Sequence, residues 1–188
     1  EQEERLRQTE REERINTLIE QIPILHTTGK YQQVSEYFDE LKRLKPTPEQ
    51  LEPVVHYQKE AQRKERQGLL PQLWREAGKQ AEEAGGKVLE LYRRALEYYE
   101  QGERSLRDSR NKLIEIPEFR GYESIRRLVE ILSDEIKDKA EQHYQGGAGL
   151  LGESEKEEKS ERRIDLLSEA QREFETTFLL NPGYRDPV

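Results

Sequence analysis

Histidine is the residue type best suited to acid–base or metal chemistry near neutral pH, and the chain contains three: His26, His56 and His143. A helical zinc motif places two histidines four residues apart, so that both reach the same metal ion. None of the three has a second histidine at that spacing. The sequence therefore predicts no metal site. His143 ends an apolar stripe beside Tyr144, which favours a packed histidine near the end of a helix.

A glycine-rich segment at residues 147–152 spells G-x-G-x-x-G, the pattern of a dinucleotide-binding turn. That turn needs a strand before it and a helix after it, because backbone amides at the helix start must meet the pyrophosphate. Here a helical pattern precedes the glycines and a charged stretch follows them, so the segment is interpreted as a linker. The sequence also contains no Walker loop, nucleophile elbow or metalloprotease helix. It therefore predicts no catalytic centre and no cofactor.

Composition favours helices with solvated outer faces. Of 188 residues, 32% are apolar and 38% are charged, with Glu, Lys and Arg at helical spacing between Leu and Tyr. The net charge is -8 and no basic stripe is segregated on one face, so no nucleic-acid partner is predicted. No apolar run is long enough to predict a membrane span. The absence of cysteine leaves the compartment open, with a soluble cytoplasmic protein slightly preferred.

The chain begins at Glu1 and contains no Met, so we expect it to be a piece of a longer protein. Residues 1–14 are nearly all Glu, Arg and Gln, which predicts a solvated helical lead-in. Residues 15–188 are expected to form a single domain of helical hairpins, with a flexible insertion at about residues 145–160. Pro23 is expected to bend or end the first packed helix.

Proline and glycine set the expected helix boundaries in the middle of the chain. Thr47 and Gln50 flank Pro48 as a capping box, which predicts that a helix starts there. Gly68 and Pro71 are expected to break that helix.

The clearest periodic pattern alternates spacings of four and three residues. Its members are Val88, Tyr92, Ala95, Tyr99, Gly102, Leu106, Ser109, Leu113 and Ile116. This spacing predicts one long helix with a seam for a facing helix, and Gly102 in mid-helix would allow a close approach. A second long helix at about residues 121–145 is expected to pair with it in an antiparallel hairpin. A final helix carries a stripe formed by Ile164, Leu167, Ala170, Phe174 and Phe178.

Three stretches resemble tetratricopeptide repeats, which are helix-turn-helix units of an α-solenoid. The first has Gly29, Tyr31, Val34, Phe38, Leu41 and Pro46 at the spacings of the second helix of such a repeat. The middle one is similar to a first helix at Trp74, Ala77, Gly78 and Ala81, and to part of its partner at Tyr92 and Ala95. The last has Ala170, Phe174, Thr177 and Pro182, in a segment similar to the junction between repeats. The resemblance implies an irregular array of antiparallel hairpins. The two long central helices expected at about residues 87–116 and 121–145 depart from it, because they are too long for a regular repeat. It also implies a groove that binds a peptide or a helix.

These observations lead to the hypothesis of a non-catalytic scaffold that binds a partner protein or another domain of the same chain. Trp74, Tyr98, Arg126 and Arg127 are the candidate partner-binding residues, because aromatic and arginine side chains dominate many interfaces. Two alternatives stay open at this point. One is a coiled-coil module that oligomerises through the Val88 to Ile116 seam, and the other is a regulatory helical domain of a larger enzyme.

Overall fold

The structure is a computed structural model that describes residues 2–184, with side chains described for residues 4–184. Glu1 and residues 185–188, which the sequence places in the lead-in and in the closing junction, lie outside the described residues. The described chain consists of seven α-helices and no strand, which confirms the all-α prediction. The helices are α1 Gln2–Thr27, α2 Tyr31–Arg43, α3 Pro48–Ala84, α4 Gly86–Glu100, α5 Leu106–Ile114, α6 Glu123–Lys156 and α7 Ser160–Leu180.

The chain divides into two compact units, Glu1–Leu69 and Leu70–Val188, whereas the sequence predicts a single domain. The long helix α3 contributes to both of them. Its first half buries Val54 and Ala61 in the core of the first unit, and its second half buries Trp74 in the core of the second. Each unit therefore has an apolar core of its own.

In the first unit, α1 and α2 pack through the apolar stripes that the sequence predicts. Both helices and the start of α3 supply the core residues Ile15, Leu18, Ile22, Val34, Phe38, Leu41, Val54 and Ala61. Residues 2–14 belong to helix α1, and two of their arginine side chains contact α2 or the residues just after it. Arg11 donates to the carbonyl oxygens of Leu44 and Lys45 over 2.7 Å each, and Arg14 pairs with Glu40 at 2.7 Å. Arg11 thus satisfies carbonyls just after the end of α2, where no helical partner exists.

Helix α3 starts at the predicted capping box. The Thr47 amide donates to Oε1 of Gln50 over 2.9 Å, and the Gln50 amide donates to Oγ1 of Thr47 over 3.3 Å. The predicted break at Gly68 and Pro71 is wrong, because α3 continues to Ala84. Pro71 removes one helical hydrogen bond, which costs stability. The helix continues because the residues around the proline, including Leu70, Leu73 and Trp74, are buried in an apolar core. Pro23 likewise lies inside α1, which runs on to Thr27.

In the second unit, the predicted long helix from Val88 to Ile116 is two helices. α4 ends at Glu100, Gly102 has a φ of +102°, a 3₁₀ turn covers Glu103–Ser105, and α5 begins at Leu106. Glycine suits this turn, because residues with a Cβ rarely adopt such a φ. The Ser109 hydroxyl of α5 donates to the carbonyl of Ala95 in α4 over 2.7 Å. The periodic residues therefore pack against each other within one hairpin instead of forming a continuous seam.

Helix α6 runs through the segment that the sequence assigns to a flexible insertion. Residues 145–156 are helical, and only residues 157–159 separate α6 from α7. Four glycines between Gly146 and Gly152 lower the helix propensity of this stretch. Leu180 of α7 nevertheless belongs to the apolar core of the second unit. Packing against α7 offsets the weak propensity, so composition alone predicts a linker where the fold has helix.

Candidate binding groove

The last turns of α6 pack against α7, and Gly147 lies at a close contact between the two helices. A methyl group added at Gly147 would lie 2.9 Å from Cε1 of Phe174, which is shorter than a van der Waals contact. Leu166, Ala170 and Leu180 of α7 are buried. Glycine at position 147 therefore lets the Phe174 ring lie directly on the α6 backbone.

An open groove of about 700 Å³ lies beside this contact. It is lined mainly by apolar side chains, with two polar ones. The lining residues are Leu151 of α6 and Leu167, Ala170, Gln171, Phe174, Glu175, Phe178 and Leu179 of α7. We call this surface the α7 groove.

The apolar side chains of the α7 groove are unusually exposed. The exposed fraction is 63% for Phe178, 45% for Leu179, 41% for Leu151 and 40% for Leu167. Ile164, on the preceding turns of α7, is 62% exposed. Apolar area in contact with water is unfavourable, and single exposed apolar residues are common, but a contiguous set of large ones is typical of an interaction surface.

The stripe that the sequence predicts for α7 is therefore only partly a core stripe. Of its members, Ala170 is buried and Phe174 is half-buried, whereas Ile164, Leu167 and Phe178 are exposed. The buried face is instead formed by Leu166, Ala170, Thr176, Thr177 and Leu180. Helix α7 thus has apolar residues on two faces, and only one of them is covered by the fold.

One carboxylate lines the groove, and a second follows Leu151 by one helical turn on α6. Glu175 of α7 lines it and accepts a hydrogen bond of 2.8 Å from the side-chain amide of Gln171. Glu155 of α6 is exposed and lies one helical turn after Leu151, so it falls on the same face of α6. Among the side chains of residues 4–184, neither carboxylate forms an ion pair. The groove is therefore mainly apolar, with Glu175 as its one acidic lining residue. By the same spacing, Arg163 lies one helical turn before Leu167 on α7.

A second polar cluster lies on the same unit, around His143 of α6. Nδ1 of His143 lies 2.5 Å from Oε2 of Glu173 in α7, and Nε2 contacts Oε1 of Glu103 in the 3₁₀ turn. Lys139 donates to the other oxygen of Glu103 over 2.8 Å. Ionised carboxylates only accept hydrogen bonds, so this arrangement favours the cationic imidazole, in which both ring nitrogens carry a proton to donate.

The pKa values in this cluster follow from the same contacts. Burial lowers the pKa of His143, but the hydrogen bonds to Glu173 and Glu103 outweigh it and raise the pKa above its ordinary value of 6.5. Burial raises the pKa of Glu103, but the hydrogen bonds from Lys139 and His143 outweigh it and lower the pKa below 4.5. His143 is therefore not the packed residue at a helix end that the sequence predicts. It lies inside α6 and joins three elements electrostatically.

The four residues predicted to bind a partner do not form one surface. Trp74 is only 5% exposed and packs against Tyr99, with ring centroids 5.0 Å apart, so its prediction as a surface residue is wrong. Tyr98 is half-buried and Arg127 is exposed. Arg126 forms an ion pair with Glu130 at 2.6 Å. No hydrogen bond, ion pair or ring contact joins any two of these four described residues.

The sequence contains a usable signal for the α7 groove and none for the His143 cluster. Leu166 and Leu167 are adjacent, as are Phe178, Leu179 and Leu180, and adjacent residues on a helix cannot all face one core. In contrast, Glu103, His143 and Glu173 are 40 and 30 residues apart along the chain. Only the packing of the helices brings them together.

Comparisons with protein-family models, with curated proteins and with solved structures found no match to this chain. The resemblance to tetratricopeptide repeats is therefore still a prediction. Within the described residues, no helix combines the length and the apolar character needed to cross a membrane. The same part of the chain shows no group of three or more histidine and acidic side chains placed to hold a metal ion.

Proposed function

We propose that the chain is a non-catalytic protein-binding module, and that the α7 groove receives apolar side chains of a partner protein or of another domain of the same polypeptide. The observation that carries the proposal is the contiguous exposure of Leu151, Leu167, Phe178 and Leu179. A groove between two packed helices is a common site for an amphipathic helix. The predicted relation to tetratricopeptide repeats supports the same function, and we retain it as a proposal.

The dimensions of the groove suit a short helix. Its lining residues on α7 extend from Leu167 to Leu179. At a rise of about 1.5 Å per residue, this stretch is about 18 Å long, or roughly three helical turns. A partner helix of that length presents apolar residues at positions i, i+3 or i+4 and i+7, which are enough to contact the whole groove.

The arrangement around His143 supports the non-catalytic part of the proposal. Both ring nitrogens are engaged by carboxylates, from Glu103 and Glu173. A histidine that acts as a general base needs a free nitrogen within reach of the substrate. In this cluster the histidine holds structural elements together instead.

The coiled-coil alternative loses the feature on which it depends. The seam from Val88 to Ile116 folds back at Gly102, and Tyr92 and Leu113 are buried within the second unit. The other alternative, a regulatory domain of a larger enzyme, is compatible with the α7 groove if the occupant belongs to the same polypeptide. In both cases, the bound segment must place apolar side chains in the α7 groove.

The test is a selection of helical peptides from a random library against the 188-residue chain. Phe178→Ala is the test variant, and Ile114→Ala is the matched control, because Ile114 is 42% exposed and lies outside the groove. Loss of a fully buried Phe contact is worth about 1.5–3 kcal/mol. We therefore expect the selected peptides to bind Phe178→Ala at least about tenfold more weakly, and Ile114→Ala with unchanged affinity.

Circular dichroism checks that both variants keep their helical content. Selected peptides that bind Phe178→Ala as tightly as the unmodified chain would show that the groove is not the binding site. A library that yields no binder at all would also count against the proposal, since an exposed apolar groove is a favourable target for an apolar helix face.

A further inference from the structure

Helix α7 is held by a side chain that titrates near neutral pH, the imidazole of His143. Its Nδ1 lies 2.5 Å from Oε2 of Glu173 in α7, and its Nε2 contacts Oε1 of Glu103 in the 3₁₀ turn. Lys139, about one helical turn before His143, donates to the other oxygen of Glu103 over 2.8 Å. The three elements around the ring thus each contribute a charged group: a carboxylate from α7, a carboxylate from the 3₁₀ turn and an ammonium from α6 itself.

Loss of the ring proton breaks one of the two contacts with carboxylates. A neutral imidazole has one N–H donor and one nitrogen lone pair, whereas an ionised carboxylate only accepts hydrogen bonds. The neutral ring can therefore hold one carboxylate and repels the other. Glu103 keeps its contact with Lys139, but Glu173 forms no ion pair other than that with His143 within residues 4–184. Glu173 is therefore the carboxylate that is released.

Release of Glu173 affects the helix contact beside the α7 groove. A methyl group added at Gly146 would lie 3.4 Å from Oε2 of Glu173, so this carboxylate lies against the backbone of α6. Phe174 follows Glu173 in the chain, packs on Gly147 and lines the groove. The same turn of α7 is thus held on α6 twice, by charge through Glu173 and by packing through Phe174.

We propose that His143 is a pH-sensitive switch for the α7 groove: when protonated it holds the middle turn of α7 against α6, and when neutral it releases that turn. The link to the groove rests on the proposed function, because it concerns how tightly the groove binds its partner. The release is local, since Leu166 and Leu180 are buried on either side of Glu173.

The direction of the switch follows from the contacts of the ring. Burial lowers the pKa of His143, but the hydrogen bonds to Glu173 and Glu103 outweigh it and raise the pKa above 6.5. A group whose pKa is raised in the folded state stabilises fully below its ordinary pKa, and this contribution is lost as the pH rises through the raised value. The turn is thus held at pH 6 and increasingly released toward pH 9.

The pH response can be assigned to His143 because the second unit contains no other histidine. His26 and His56 both lie in the first unit. Arg104 makes a further contact between the 3₁₀ turn and α7, donating to Oγ1 of Thr176 over 3.4 Å. An arginine stays charged throughout this pH range, so that contact does not titrate.

The experiment measures hydrogen exchange of the backbone amides in the 188-residue chain at pH 6 and pH 9, with short labelling pulses. Each rate is divided by the intrinsic rate at the same pH, so that only protection by structure is compared. We expect the protection of amides around Glu173 to fall about threefold to tenfold from pH 6 to pH 9. The protection of amides around Leu132, in the buried part of α6, should change less than twofold.

Three variants assign the effect. His143→Gln removes the titrating ring, and Glu173→Gln replaces the released carboxylate by an amide that can pair with either form of the ring. Both should reduce the change in protection to less than twofold. His56→Gln is the control, because His56 is exposed and lies in the first unit, and it should keep the full change. A full change that persists in His143→Gln and in Glu173→Gln would overturn the switch.

Peptide binding tests the link to the groove. The probe is a helical peptide selected against the chain whose charged residues are only Glu and Arg, so that the peptide itself does not titrate between pH 6 and pH 9. It should bind about threefold or more weakly at pH 9 than at pH 6, because a smaller fraction of the chain has the binding-competent groove. His143→Gln should remove most of this difference.

The outcomes separate the switch from the proposed function. Unchanged protection around Glu173 between pH 6 and pH 9 would overturn the switch, whatever the peptide does. Protection that changes with pH, together with equal peptide affinity at both pH values, would overturn the link to the groove and leave the binding function standing. Protection that changes with pH, in a chain that binds no selected peptide, would contradict the proposed function and support the switch as a property of the fold.

Discussion

Replacing Gly147 by alanine gives the sharpest test of how α6 and α7 pack. Alanine is favoured over glycine inside a helix by about 1 kcal/mol, so the substitution would stabilise α6 if nothing else changed. The added methyl group, however, would lie 2.9 Å from Cε1 and 3.0 Å from Cδ1 of Phe174. The ring or the helix must shift, and overpacking of this kind costs about 1–3 kcal/mol. The net effect of Gly147→Ala is therefore expected to range from about zero to 2 kcal/mol of destabilisation.

Gly149→Ala is the matched control for this substitution. Gly149 lies in the same helix, and nothing would lie within 4 Å of a methyl group added there. It should therefore gain the helix propensity without the overpacking, and stabilise the second unit by about 0.5–1 kcal/mol. The difference between the two variants isolates the contact with Phe174, because the propensity term is common to both. We expect that difference to be about 1–3 kcal/mol.

The assay uses Trp74, which is the only tryptophan in the chain and is buried in the second unit. Its fluorescence during urea unfolding reports the free energy of unfolding of the unit that contains α6 and α7. The double variant Gly147→Ala/Phe174→Ala provides a further check, since removing the ring should abolish the penalty of the added methyl group. If Gly147→Ala stabilised the chain as much as Gly149→Ala, the close contact between α6 and Phe174 would be refuted.

Three further predictions concern other parts of the fold. Phe38→Ala should destabilise the first unit by about 3–5 kcal/mol, because Phe38 is buried in its core. Thermal unfolding followed by circular dichroism measures the loss of stability. A loss below about 1 kcal/mol would contradict the prediction. Gly102→Ala and Gly102→Leu should each lower the free energy of unfolding in urea by about 1–3 kcal/mol, because any residue with a Cβ is strained at a φ of +102°. A Cβ added at Gly102 would have no neighbour within 4 Å, so both variants should lose a similar amount. A much larger loss for leucine alone would indicate overpacking instead. Protonated His143 should stabilise the second unit fully below its ordinary pKa of 6.5, and this contribution should disappear as the pH rises through its raised folded-state pKa. At pH 6, His143→Gln should therefore lower the free energy of unfolding by about 1 kcal/mol, which lowers the melting temperature by a few degrees. At pH 9 the decrease should be smaller. A decrease that does not change with pH would refute the charged cluster.

Local sequence signals predicted the parts of the fold that local interactions control. The capping box at Thr47 and Gln50 sets the start of α3 through two hydrogen bonds between residues three positions apart. The apolar stripe of α2 predicted the burial of Val34, Phe38 and Leu41. In both cases the determining residues are neighbours on the helix, so their spacing carries the information.

Glycine and proline were misleading where packing outweighed their local effects. Pro71 and the glycines near residue 147 predicted breaks, but burial around them keeps α3 and α6 helical. Gly102 gave the opposite error: its place in a regular heptad pattern predicted a continuous helix, whereas its positive φ makes the turn between α4 and α5. A glycine permits either conformation, and only the contacts on each side select one.

Tyr99 and Trp74 show why the candidate surface could not be chosen from residue types. Aromatic side chains serve equally well in cores and interfaces, and Trp74 lies in the core of the second unit. Part of the α7 groove could have been predicted from the sequence, because Phe178 and Leu179 are adjacent and cannot both lie on one buried face of a helix. Which of the two apolar faces would be covered depended on how α7 packs.

By itself, the sequence determined that the chain is helical and where the strongest caps and apolar stripes lie, because these depend on residues within one or two turns of each other. Tertiary structure decided which glycines bend the chain, which apolar face of α7 stays uncovered, and that His143 meets Glu103 and Glu173. Those outcomes depend on contacts between residues tens of positions apart, whose free energies exceed the local preferences that a sequence pattern records.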